Sequence, residues 1–140
     1  MRNRLIVGVV PLAAVLVALP AIADDVTGEA QLLCTSVRVK ECFADGGCVE
    51  GPPETWNIPR FTRIDLAKKT LETTESSGQN RTTPIERIER EGDDIALQGA
   101  EDGKAFSFLL EADTGTASVA IALEGSVLAG FGYCTPIDSD

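Results

Sequence analysis

From Lys104 to Cys134 the chain reads KAFSFLLEADTGTASVAIALEGSVLAGFGYC, three apolar runs separated by Asp113-Thr114-Gly115 and by Glu124-Gly125-Ser126. Runs this short, rich in β-branched and aromatic residues and punctuated by turn formers, fit antiparallel strands joined by hairpins. Successive side chains of a strand point to opposite faces, so Phe106, Phe108 and Leu110 share one face of the first run, and Val119, Ile121 and Leu123 share one face of the second. The third run is apolar on both faces, and Gly130 and Gly132 let a strand bend or bulge there. The stretch is a β-meander within a closed or nearly closed antiparallel sheet.

The chain opens with Arg2 and Arg4, an apolar run from Leu5 to Leu19, and Ala21-Ile22-Ala23 before Asp24-Asp25. That order of charged, apolar and small residues is a secretory signal peptide over residues 1–23, with cleavage expected after Ala23. The run is shorter than the roughly 20 residues of a spanning helix, and Pro11 and Pro20 interrupt it. Residues 24–140 then form a single β domain, periplasmic or secreted, with no membrane association after cleavage. Removing 23 of the 140 residues leaves 117, in which 22 acids face 10 bases for a net charge of −12. Such a surface repels phosphate backbones, which argues against nucleic acid; an unknown protein partner is the expectation, a basic one where the charge steers partners inward, the alternative being that the charge only keeps an exported chain soluble.

Four cysteines remain: Cys34, Cys42, Cys48 and Cys134. An even count in an exported chain points to disulfides. Cys42 and Cys48 flank the turn-rich Phe43-Ala44-Asp45-Gly46-Gly47, so a hairpin pairs them and leaves Cys34 to join Cys134, the first strand to the last. Zinc is disfavoured, because paired C-x2-C units are missing and the chain has no histidine.

Gln31 to Cys42 reads as a half-buried first strand, with Leu33, Val37 and Val39 alternating against Ser36, Arg38 and Lys40. Val49 to Pro59 holds three prolines and is expected as an ordered surface loop. It carries the only tryptophan, and Glu50, Glu54 and Trp56 are the candidate interaction loop; an aromatic there also suits plugging the end of a small β core. Phe61 to Leu66 and Thr70 to Thr73 read as two strands around Ala67-Lys68-Lys69. A polar loop spans Glu75 to Thr83. Pro84 to Glu91 has helix-like charges, but the Gly92-Asp93-Asp94 turn and the run Ile95 to Gly99 favour a hairpin. The fold class is all-β: about eight strands in an up-and-down barrel or curled sandwich.

Histidine-dependent hydrolase chemistry is excluded by composition. Glu86, Glu89, Glu91, Asp93 and Asp94 form the densest acidic run, and with nothing apolar around them to raise a carboxyl pKa they read as a solvated face. Neither this run nor the Asp113 turn follows the calcium-loop pattern. No catalytic residue, cofactor or metal is expected. Leu33-Cys34, Cys42 with Gly47-Cys48, Phe61 with Ile64-Asp65, Leu97-Gln98-Gly99, Asp113-Thr114-Gly115 and Phe131-Gly132-Tyr133-Cys134-Thr135-Pro136 together resemble small exported, disulfide-bonded β-domain proteins of Gram-negative bacteria with no assigned function. In layout the chain also looks like the periplasmic lysozyme inhibitors, without a residue-by-residue match to their inhibitory loop. The expected function is non-enzymatic binding or protein interaction; the alternatives are a carrier barrel for a small apolar ligand and a lysozyme-inhibitor-like protein. The carrier requires that Phe106, Phe108, Leu110, Ile121 and Phe131 do not fill the interior.

Overall fold

The computed structural model describes Val26, residues 31–77 and residues 79–137. The expected signal peptide lies outside the described residues. Ten strands follow in chain order: β1 Gln31–Phe43, β2 Cys48–Gly51, β3 Phe61–Asp65, β4 Thr70–Thr73, β5 Thr82–Pro84, β6 Arg87–Glu91, β7 Asp94–Glu101, β8 Lys104–Glu111, β9 Thr116–Leu123 and β10 Ser126–Ile137. Two 3-10 turns, Pro53–Trp56 and Glu75–Ser77, lie between strands.

The strands form one antiparallel sheet in the order β5-β4-β3-β1-β10-β9-β8-β7-β6, with β2 added beside the far half of β1. Its two outermost strands are successive parts of one bent segment. Ile85 N–H donates to the Lys69 carbonyl at 2.8 Å, on the β4 side, and Glu86 N–H donates to the Gln98 carbonyl of β7 at 2.9 Å. The sheet therefore curls until its edges meet at Ile85–Glu86. Taking the segment Thr82–Glu91 once and setting β2 aside leaves the eight staves expected from the sequence. Curling protects backbone groups that a flat sheet leaves unpaired at its edges.

Turn chemistry sets the hairpins. Asp102 and Gly103 have φ of 49° and 75°, the left-handed pair of a two-residue turn whose twist matches the strands it joins. The β1 pairing with β10 slips between Ser36 and Arg38, so Val37 is an extra residue in β1. This bulge corrects the expected face of the first strand. Before it, Leu32 and Cys34 point inward; after it, Val39 does, while Leu33 is half-buried and Val37 is 59% exposed. One inserted residue exchanges the two faces of everything beyond it. Gly132 lies opposite the bulge, where an added Cβ would run into the Thr35 carbonyl. β2 also takes Val49 to Gly51 out of the expected loop, extending the Cys42–Cys48 hairpin to meet Val39–Cys42.

The disulfides are Cys34–Cys134 and Cys42–Cys48, each between residues directly opposed across a ladder. The first is buried in the core and ties β1 to β10; the second lies on the outer face. Their presence places the domain in an oxidising, non-cytosolic compartment. Among the described residues no helix is long and apolar enough to cross a membrane.

Candidate functional site

The interior is packed at one end and hollow at the other. Leu32, Ile64, Ile95, Leu97 and Leu110, each no more than 2% exposed, fill the end nearest the β8–β9 turn. Val26 closes that end, fully buried, with its N–H on the Ala112 carbonyl at 3.0 Å. Toward the opposite end Phe106, Phe108, Val119, Ile121, Leu123 and Leu128 wall a cavity of about 240 Å³.

Glycine at inward positions explains the space. An added Cβ on Gly99 of β7 would sit 2.6 Å from the Phe106 ring, so the ring lies back against the barrel wall. Val119 stands in the same relation to Gly130 of β10, at 2.7 Å. Phe108 meets Phe106 edge to face with ring centres 6.5 Å apart, a favourable quadrupole arrangement. Phe131, counted from the sequence among possible fillers, points outward and is 54% exposed, because the inward positions of β10 are the even-numbered ones. Leu110 belongs to the packed end.

A loop crosses the mouth. The turn Pro53–Trp56 is followed by Asn57 in the left-handed region, φ 56°, which redirects the chain so that Trp56, Ile58 and Pro59 line the cavity. Trp56 packs over Gly51, whose added Cβ would lie 3.3 Å from the indole. Its Nε1–H donates to Glu41 Oε2 at 2.6 Å, and the Ser126 hydroxyl donates to Glu41 Oε1 at 2.7 Å. Glu41 thus joins the loop to the start of β10, from an odd-numbered β1 position that the bulge turns inward. Sequence reading missed Glu41, although its odd position falls on the face expected to be inward, because its partners Trp56 and Ser126 lie 15 and 85 residues away. Gln79 reaches across from the β4–β5 loop and donates to Asn57 O and Oδ1 at 3.0 and 2.6 Å.

Of the three loop residues singled out in the sequence, only Trp56 lines the cavity. Glu50 pairs with Arg38 at 3.4 Å and Glu54 with Arg60 at 2.8 Å, both at the exposed surface. The hydrogen bond from the Arg60 guanidinium holds the Glu54 carboxyl below its ordinary pKa range. At the seam, Glu101 accepts from the Thr83 hydroxyl at 2.6 Å and faces Arg81 at 3.5 Å. Glu86, Glu89, Glu91, Asp93 and Asp94 are exposed, the solvated face expected of them. A second, shallower hollow of about 480 Å³ lies outside the barrel between the two loops, lined by polar groups including Glu54, Arg60 and Gln79. Among the described residues no group of three or more His, Cys, Asp or Glu side chains is placed to hold a metal ion.

Fold and cavity together define a disulfide-stabilised, curled β-barrel with one packed end and one open end, whose cavity has an apolar wall and polar groups, among them Glu72, Arg81, Glu101 and Lys104, in its lining. Comparison with family models, with curated proteins and with solved structures returned no match to the chain.

Proposed function

We propose that the protein is a non-enzymatic periplasmic binding protein whose barrel mouth takes one small apolar ligand or the acyl end of an amphiphile. The observation that carries this reading is the cavity itself: six apolar side chains along its wall, with Arg81, Glu101 and Lys104 also in its lining, under a tryptophan held by a hydrogen bond. Ligand pockets are concave and mostly apolar, with a few placed polar groups. Size narrows the class. An apolar cavity of roughly 150 Å³ takes benzene, so one of about 240 Å³ suits a substituted ring or a chain of about eight carbons.

The test is a series of straight-chain alcohols from butanol to decanol, followed by amide chemical shifts. Each buried methylene contributes about 0.8 kcal/mol, so affinity rises about fourfold per carbon while the cavity fills and levels off once it is full. Saturable shifts are expected at Phe106, Phe108 and Ile121. Shifts that stay linear to the solubility limit, or that spread over the packed end, would sink the reading.

A further inference from the structure

The outer face of β7 to β10 carries no charge between its rims. Outward positions run from Ala96 to Ala100 on β7, Ala105 to Leu109 on β8, Thr116 to Ala122 on β9 and Val127 to Thr135 on β10, and none is Asp, Glu, Lys or Arg. Charge returns around it: Asp94 and Glu111 at one end, Arg38 and Lys40 on β1 opposite Phe131 and Ala129, and Arg87 and Glu89 on β6 opposite Gln98 and Ala96. In a chain where charged residues make up 24%, this is a departure from an ordinary solvated face. The face also exposes large apolar groups: Leu109 42%, Val127 42%, Phe131 54% and Tyr133 59%. Phe131 and Tyr133 stand two residues apart on β10, and Leu109 lies in the cross-strand row of Phe131 through Ser118. A contiguous apolar patch on a soluble domain marks an interaction surface.

We infer that this face binds a second copy of the chain, sheet against sheet, about a two-fold axis. Charge selects the occupant. The chain carries a formal net charge of −10, so two copies repel wherever acids face each other, and this face presents none. A basic partner would find no carboxylate there to meet. Small side chains at Ala120, Ala129 and Ser118 let two sheets approach to the roughly 10 Å at which faces interdigitate. Four strands about 4.8 Å apart, whose charge-free stretches average about 6.5 residues at a rise of about 3.4 Å, give roughly 420 Å² of flat face. That is the order of the roughly 800 Å² of accessible surface each partner of a stable pair contributes. A two-fold axis sets Phe131 and Tyr133 of one copy on the same patch of the other, and the pair closes without leaving a second sticky surface.

Sedimentation velocity of the disulfide-intact exported domain, from about 1 to about 300 µM and at low and high salt, tests this. A reversible monomer–dimer equilibrium is expected, and it tightens as salt rises, because salt screens repulsion between acidic copies and leaves apolar contact intact. Binding of a basic partner has the opposite salt dependence. Replacing Ala120→Glu together with Leu109→Glu, two outward positions not directly opposed, puts carboxylates into the centre of both faces and should weaken the dimer at least about 100-fold. Both positions point outward, so unchanged far-ultraviolet circular dichroism and unchanged Trp56 emission show that the variant is folded. A protein that stays monomeric over the whole range, one that binds apolar vesicles as a monomer, or a dimer that survives the double substitution would each overturn the inference.

Discussion

Trp56 Nε1 lies 2.6 Å from Glu41 Oε2, which joins the one tryptophan, on a proline-rich loop, to a carboxylate on the inner face of β1. Hydrogen bonds to a charged acceptor contribute about 1.5–3 kcal/mol, and cutting one strands its donor. Replacing Glu41→Ala should therefore loosen residues 53–58 without unfolding the barrel. Hydrogen exchange in that segment should accelerate at least about tenfold, as 1.4 kcal/mol of lost local stability requires, and Trp56 emission should shift to the red. Glu41→Gln, which keeps an acceptor, should fall between. Exchange equal to wild type in Glu41→Ala would show that packing on Gly51 alone holds the loop.

The two disulfides close loops of very different length, 100 and 6 residues apart in sequence. In the chain-entropy account the longer loop withholds about 4.7 kcal/mol from the unfolded state and the shorter about 2.3 kcal/mol. Replacing Cys34 and Cys134 together by Ala should cost at least about 2 kcal/mol more than replacing Cys42 and Cys48, because the first pair is also buried in the core. Urea midpoints of the two variants decide this; equal losses would contradict the loop-length argument.

Asp65 gives the fold a defined response to acid. It is 5% exposed and accepts from the Lys68 N–H at 2.8 Å and from Gln31 Nε2 at 3.0 Å, with Lys68 Nζ 3.2 Å away. The backbone donor first, then the Lys68 and Gln31 side chains, lower its pKa against the opposing effect of burial. A carboxylate with a folded pKa below its unfolded one stabilises the fold above the unfolded value, about 3.9, and loses that contribution as pH falls through the folded value. Asp65→Asn should be less stable than wild type at pH 7, and the gap should narrow on acidification below about pH 4. A gap independent of pH would show that the carboxylate charge contributes nothing.

Much of the barrel was legible in the chain because hairpin turns, alternation and cysteine spacing are local signals. Asp113-Thr114-Gly115 and Glu124-Gly125 mark turns whose strands pair in the register that alternation gives, and the short Cys42–Cys48 link folds as a hairpin. The bulge at Val37 was not legible, since its cause is long-range: β1 must accommodate Gly132 and the curl of β10 at one point. Losing that one residue of register misassigned Leu33 and Val37, while Glu41 was missed because its hydrogen-bond partners Trp56 and Ser126 are distant in sequence. The cavity was hidden for a related reason. Phe106 and Val119 are inward and apolar, as filling residues would be, and only their contacts with Gly99 and Gly130 lay them against the wall.

Those contacts give the last prediction, from two glycines two residues apart on β10. An added Cβ at Gly132 meets backbone at Thr35, which cannot yield without breaking the β1 pairing, so Gly132→Ala should cost at least about 2 kcal/mol. At Gly130 the one close contact is Val119 Cγ1 at 2.7 Å, with the next atoms at 4.0 Å. Val119 has the cavity to move into, so Gly130→Ala should cost under about 1.5 kcal/mol, as tolerated core changes do, while pushing a branched side chain into the lumen. Binding of octanol should then weaken at least about tenfold in Gly130→Ala at nearly wild-type stability. Octanol binding unchanged in that variant would place the alcohol outside the mouth.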